Sequence, residues 1–158
     1  MRAAIALSQS MSATDISADI PQNIPDGFTR HTRTSPVTEP WEPIYAKTTS
    51  DAFILAIRLA KPHTNSRGIV HGGLIATLAD NAMGLSCGIK MKEPGRLLTI
   101  SLNVDYLGSG NIGQWLAVET NFVKLGGSVC FAQCLVTVDG KPCARASATF
   151  KVVKAKPV

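Results

Sequence analysis

The stretch His71–Lys90, HGGLIATLADNAMGLSCGIK, decides the fold. Leu74, Leu78 and Leu85 fall on one side of a helical projection, and Ile75, Ala79 and Ala82 on another, so the segment reads as one long buried helix, apolar nearly all round. Gly72 and Gly73 stand at its entrance. Between Gly73 and Leu85 the sole ionisable residue is Asp80. A carboxylate in apolar surroundings is costly unless it is hydrogen-bonded or used. It either pairs with a nearby backbone group or faces water, or it is a general base or nucleophile set in a dry cleft.

The entrance, Val70-His71-Gly72-Gly73, supplies what such a base would act with. Unpaired N–H groups and the positive end of the helix dipole gather there, and glycine lets a carbonyl oxygen come close. At a rise of 1.5 Å per residue, Gly72 and Asp80 stand roughly 12 Å apart along the axis, too far to serve one carbonyl carbon. Two such helices related by a two-fold axis remove the difficulty, because the entrance of one can face the middle of the other. A homodimer with two equivalent sites is therefore expected.

Outward from the helix the chain reads as strands. Residues 97–107 alternate, and residues 114–124 carry Trp115, Ala117 and the β-branched Val118, Thr120 and Val123. Residues 128–138 and 142–153 flank Asp139-Gly140, a strong hairpin signal, so the second half is an antiparallel meander. Upstream, Ile44–Thr49 is a possible first strand. Residues 52–60 fit strand or helix by period, and Pro62 favours a short strand running into a loop. Residues 26–43, with Gly27, Pro36, Pro40 and Pro43, should be irregular or extended. The expectation is an α+β domain over 26–158, one long helix and five or six strands, preceded by a flexible leader over 1–25 whose Ser, Ala, Asp, Gln and Pro cannot bury enough surface to order.

Composition narrows the function. No run approaches the roughly 20 apolar residues of a spanning helix, and the apolar run at Met1–Leu7 ends too soon for a signal sequence, so a cytoplasmic, non-membrane protein is expected. Cys87, Cys130, Cys134 and Cys143 form no C-x-x-C pair, which argues against disulfides and structural zinc. Two Trp, two Tyr and five Phe lie scattered without interleaved basic residues, which speaks against nucleic acid. The net charge of +5 suits an anionic ligand, although part of it lies in the tail Lys151, Lys154 and Lys156.

His71-Gly72-Gly73 followed by Leu78-Ala79-Asp80, with Asn65 upstream and Asn103-x-x-Tyr106 downstream, resembles the hotdog-fold thioesterase superfamily, in particular its branch of phenylacetic-acid-pathway and thioesterase-superfamily-member-2-like enzymes. The resemblance covers roughly residues 44–153. It implies a long helix wrapped by a curved antiparallel sheet, dimers often paired into tetramers, and hydrolysis of an acyl-CoA without metal or cofactor. It also implies Asp80 as base or nucleophile, the Gly72 N–H as carbonyl polariser, Asn65 and His71 as orienting groups, and Thr99 as an assisting hydroxyl. Each has a plainer alternative: His71 as a residue that fixes the helix entry, Asn65 as a turn former, and Thr99 as an ordinary strand residue.

The sequence departs from the pattern after Gly126, where many relatives carry Arg or Lys near the nucleotide end of CoA and Gly127-Ser128 stands here. Arg67, Lys90, Lys92 or Lys124 could supply the phosphate contacts instead. A non-catalytic acyl-CoA sensor would need the cleft but not Asp80. A hydratase on this fold would pair a carboxylate with a following His, and no His follows Asp80.

Overall fold

The computed structural model describes residues 23–92 and 95–154, so the expected leader lies almost wholly outside the described residues. Helix α1 spans Gly72–Lys90. It begins where His71, in extended conformation, caps it, with the imidazole accepting the Gly73 N–H. Leu74, Ile75, Leu78, Ala79, Ala82, Met83 and Cys87 repeat at helical spacing and are buried. They pack against one face of a seven-stranded sheet ordered β1-β2-β3-β5-β6-β7-β4, all neighbours antiparallel. The strands are β1 (Thr29–Arg30), β2 (Ile44–Thr48), β3 (Phe53–Arg58), β4 (Gly95–Tyr106), β5 (Trp115–Leu125), β6 (Val129–Val138) and β7 (Lys141–Lys154). The helix seals an apolar core that includes Leu55, Ile57, Leu116, Val118, Val136 and Phe150.

Three expectations need correction. Among the described residues the sheet has seven strands rather than five or six, because residues 26–43, expected to be irregular or extended, contribute the two-residue β1, pairing Thr29 with Ala46 and Arg30 with Tyr45. The helix is not buried all round: Gly73, Ala76, Thr77, Asp80, Asn81, Gly84, Leu85 and Gly88 form a flank that stays open or half-open in the single chain. And β4 does not alternate continuously, because a bulge between Thr99 and Ser101 resets its register against β7. Leu97 and Thr99 face the helix before the bulge, and Leu102 and Val104 pack into the core after it. Without that extra residue, alternation from Thr99 would turn Ser101, Asn103 and Asp105 inward.

The hairpin at Asp139-Gly140 forms as the sequence indicates, both residues at positive φ (47° and 77°), the primed-turn geometry that suits twisted strands. Among the described residues, strand β4 pairs on one side alone, with β7, and its outward Leu98 and Ile100 are 58% and 59% exposed. All four cysteines are buried free thiols, and burial pushes those of Cys87 and Cys134 up to about 12. Among the described residues, no helix is long and apolar enough to cross a membrane.

Candidate active site

Asp80 sits half-buried in the middle of the open flank of α1, where its Oδ1 accepts a 2.8 Å hydrogen bond from the Thr99 hydroxyl. The bulge after Thr99 makes this possible while keeping the rest of β4 in phase with the core. Both residues line a cavity of about 450 Å³ between helix and sheet, with Leu78, Leu85, Leu97 and Phe150 among its apolar walls. A carboxylate and a hydroxyl thus converge on a hollow with both apolar and polar walls.

The helix entrance is built by three contacts. His71 Nδ1 accepts the Gly73 N–H at 2.9 Å, so a neutral ring carries its proton on Nε2. The His71 backbone N–H donates to His63 O, and His63 in turn is fixed by the Ala60 N–H on Nδ1 and by Trp41 O at Nε2. Tyr106 donates its hydroxyl to Gly72 O at 2.8 Å. Its ring lies so close that a Cβ on Gly72 would come within 3.1 to 3.2 Å, so a larger residue there would have to push the ring back by a few tenths of an ångström. The Gly73 N–H is taken by His71, whereas the Gly72 N–H has no hydrogen-bond partner among the described residues and remains a donor.

The other sequence-predicted residues divide by location. Asn65 and Arg67 lie in the loop before the helix, where Asn65 Oδ1 accepts the Arg67 N–H at 2.9 Å in a turn that leaves both side chains near the entrance loop. Lys90 closes the far end of α1, about 27 Å along the axis from the entrance at 1.5 Å per residue, and pairs with Asp51 at 3.6 Å. Lys124 is exposed on β5. Gly126 starts the tight β5–β6 turn, its N–H bonded to Val129 O, where an added Cβ would meet that same oxygen at 2.7 Å. The single chain therefore brings Asp80 to Thr99, sets His71, Gly72 and Gly73 at the entrance and places Asn65 and Arg67 in the loop that leads into it, but does not bring Lys90, Lys124 or Gly126 to that end.

Two contributors escaped the sequence reading. Tyr106 was visible only as part of a pattern, and its hydroxyl contact depends on the bulge seven residues earlier. The strap 31–38 forms one wall of the cavity, and its single proline, Pro36, signals only irregular or extended backbone.

Comparison with known proteins agrees with this architecture. The family model described as "Thioesterase superfamily" matches residues 67–144. A candidate esterase of Pseudomonas aeruginosa is 32% identical over 129 residues, covering 81% of this chain and 96% of that protein. Mouse acyl-coenzyme A thioesterase 13 is 30% identical over 89 residues, 55% of this chain and 61% of that one. Among solved structures, a Bacillus halodurans protein crystallised with CoA superposes with a TM-score of 0.68 at 23% identity, over 80% of this chain and 83% of its own. With its long helix laid across one antiparallel sheet and these relatives, the chain belongs to the hotdog-fold thioesterase superfamily.

Proposed function

We propose that the protein is an acyl-CoA thioesterase, releasing a free acid and CoA, in which Asp80 of one chain works opposite the Gly72 N–H of a second. The observation that carries this reading is the Asp80–Thr99 pair on the open flank of α1, facing a cavity that Leu78, Leu85, Leu97 and Phe150 help to wall. Asp80 accepts the proton of a water as that water attacks the thioester carbonyl, or attacks the carbonyl itself to give a mixed anhydride that water then cleaves. In either route the Thr99 hydroxyl fixes one carboxylate oxygen and leaves the other for chemistry. The oxyanion is met by the Gly72 N–H at a helix N-terminus, a position of positive potential.

The two-chain arrangement follows from distance and from exposed surface. Within one chain Gly72 and Asp80 stay roughly 12 Å apart along the axis. The one-sided edge of β4, with Leu98 and Ile100 outward, and the open helix flank offer a second copy both backbone pairing and apolar contact. A homodimer, with a tetramer as a dimer of dimers, suits both features. Arg67, Lys90 and Lys124 are the cations offered to the CoA phosphates, and no metal or cofactor enters the reaction. A cytoplasmic setting goes with this proposal.

The test is hydrolysis of a panel of acyl-CoAs followed by release of free thiol. Turnover by the native protein and its loss in Asp80→Asn, with oligomer and fold retained, are expected. Unimpaired turnover in that variant refutes the assignment. Binding of acyl-CoA without turnover in the native protein would instead favour a sensor on the same fold.

A further inference from the structure

The cavity beside Asp80 has walls of two kinds. The helix, β4 and the sheet give it mainly apolar side chains, while the strap before β2 gives it His31, Arg33, Thr34, Ser35 and Thr38. The Ser35 and Thr38 hydroxyls satisfy each other at 3.0 Å. Arg33 has no hydrogen-bonding or ion-pair partner among the described residues, unlike Arg30, which lies 3.8 Å from Glu42. Glu42 is the carboxylate felt by His31, and it is further occupied by the Ile44 N–H at 3.0 Å. Arg33 is exposed at the edge of this cavity and has no matched anion among the described residues, so its guanidinium is available to an anionic group of a ligand lying there.

Arg33 acts on the neighbouring His31, whose position relative to the reacting centre can be read from contacts. The His31 ring packs edge-on against Phe53, centroids 5.5 Å apart, and the Phe53 N–H donates to Ser86 Oγ. His31 thus stands level with Ser86, six residues beyond Asp80, or about 9 Å along α1. Burial and the nearby Arg33 both lower the pKa of His31, while Glu42 raises it; the net shift is downward, so its ring is a neutral hydrogen-bonding group.

Resting on the thioesterase reading above, we propose that the cavity selects an acyl group that ends in a carboxylate, bound by Arg33 and His31 at the end of the cavity away from Asp80. The thioester carbonyl lies at Asp80, and a linear chain of about eight carbons, with bonds of about 1.5 Å, spans the distance to the strap. The apolar walls hold the methylenes, and the guanidinium takes the carboxylate in the planar, two-point geometry it favours.

The experiment compares suberyl-CoA with octanoyl-CoA, which differ in the terminal carboxylate, on the full-length protein and on Arg33→Gln. The native protein should prefer suberyl-CoA in kcat/KM, and Arg33→Gln should lower the suberyl-to-octanoyl ratio by about tenfold or more, the effect of losing a charged hydrogen bond. A ratio cancels any loss of folded protein. No preference in the native protein, or an unchanged ratio in the variant, overturns the proposal. Equal losses on both CoA esters that vanish with octanoyl-pantetheine also overturn it, because they place Arg33 on the CoA phosphates. If neither ester is hydrolysed, the thioesterase reading fails by itself, and calorimetric affinities for the two esters decide the carboxylate seat: tighter suberyl-CoA binding lost in Arg33→Gln supports it, and equal affinities overturn it.

Discussion

The two flanks of helix α1 come from one continuous sequence and do different work. The flank with Leu74, Ile75, Leu78, Ala82 and Met83 is packed against the sheet and nearly free of solvent. The flank with Gly73, Thr77, Asp80, Asn81, Gly84 and Gly88 is small, polar and open in the single chain. The first resembles any protein interior, where volume and burial set stability. The second gives up apolar burial to expose a carboxylate and bring backbone within reach of other molecules. Stability and chemistry are thus separated by roughly half a helical turn.

The largest effect expected from that division is on Asp80. Asp80→Asn keeps the shape and the Thr99 hydrogen bond but removes the base, so kcat/KM should fall about 10²- to 10⁴-fold. Denaturant unfolding should change by less than about 0.5 kcal/mol, as for a substitution away from the core. A large stability loss would mean that the carboxylate is structural. On the opposite flank, Ile75→Ala, at a core residue that does not line the cavity, should cost about 2–5 kcal/mol in the same unfolding measurement. Turnover per folded molecule should suffer far less than in Asp80→Asn, and a reversed pattern would erase the distinction between the flanks.

A smaller effect should sharpen the entrance. Tyr106→Phe deletes one hydrogen bond to Gly72 O, worth about 1 kcal/mol in stability. If Tyr106 holds the oxyanion donor in place, kcat should fall while KM stays near its native value, and a change in KM alone would make it a substrate contact. The smallest effect concerns pH. The Cys87 and Cys134 thiols are raised from 9.0 to about 12, so the folded state holds protons that the unfolded chain releases. Their contribution to stability is complete below 9.0 and is lost as pH climbs from there towards 12. Below pH 9 these thiols should react with a thiol reagent only after unfolding, and fast reaction in native buffer would contradict their burial.

Much of this was legible before any coordinates. The helix from Gly72 to Lys90, the turn at Asp139-Gly140 and the prominence of Asp80 follow from periodicity, backbone preference and the cost of a buried charge. What was not legible depends on pairing across the sheet. The bulge after Thr99 leaves a faint mark, a change of parity from Leu97 and Thr99 to Leu102, Val104 and Tyr106, which reads as ordinary alternation until β7 fixes the register. The strap at 31–38 carries its information in tertiary position, since a proline reveals that backbone is irregular or extended but not which cavity it will border. The cations Lys90 and Lys124 were chosen by charge alone, and only the fold reveals how far they lie from the helix entrance.

The most direct measurement mixes two inactive variants. Asp80→Asn lacks the base. Gly72→Pro lacks the N–H at the first helical position, where proline is tolerated, and His71 already has the extended geometry (φ −75°, ψ 129°) that a following proline requires, although the Tyr106 ring must yield slightly. If each site takes Asp80 from one chain and Gly72 from the other, random exchange makes half the dimers mixed, each with one intact site of two. Activity should then recover to about a quarter of native. No recovery, with mixed dimers verified by mass, would contradict a site shared between two helices.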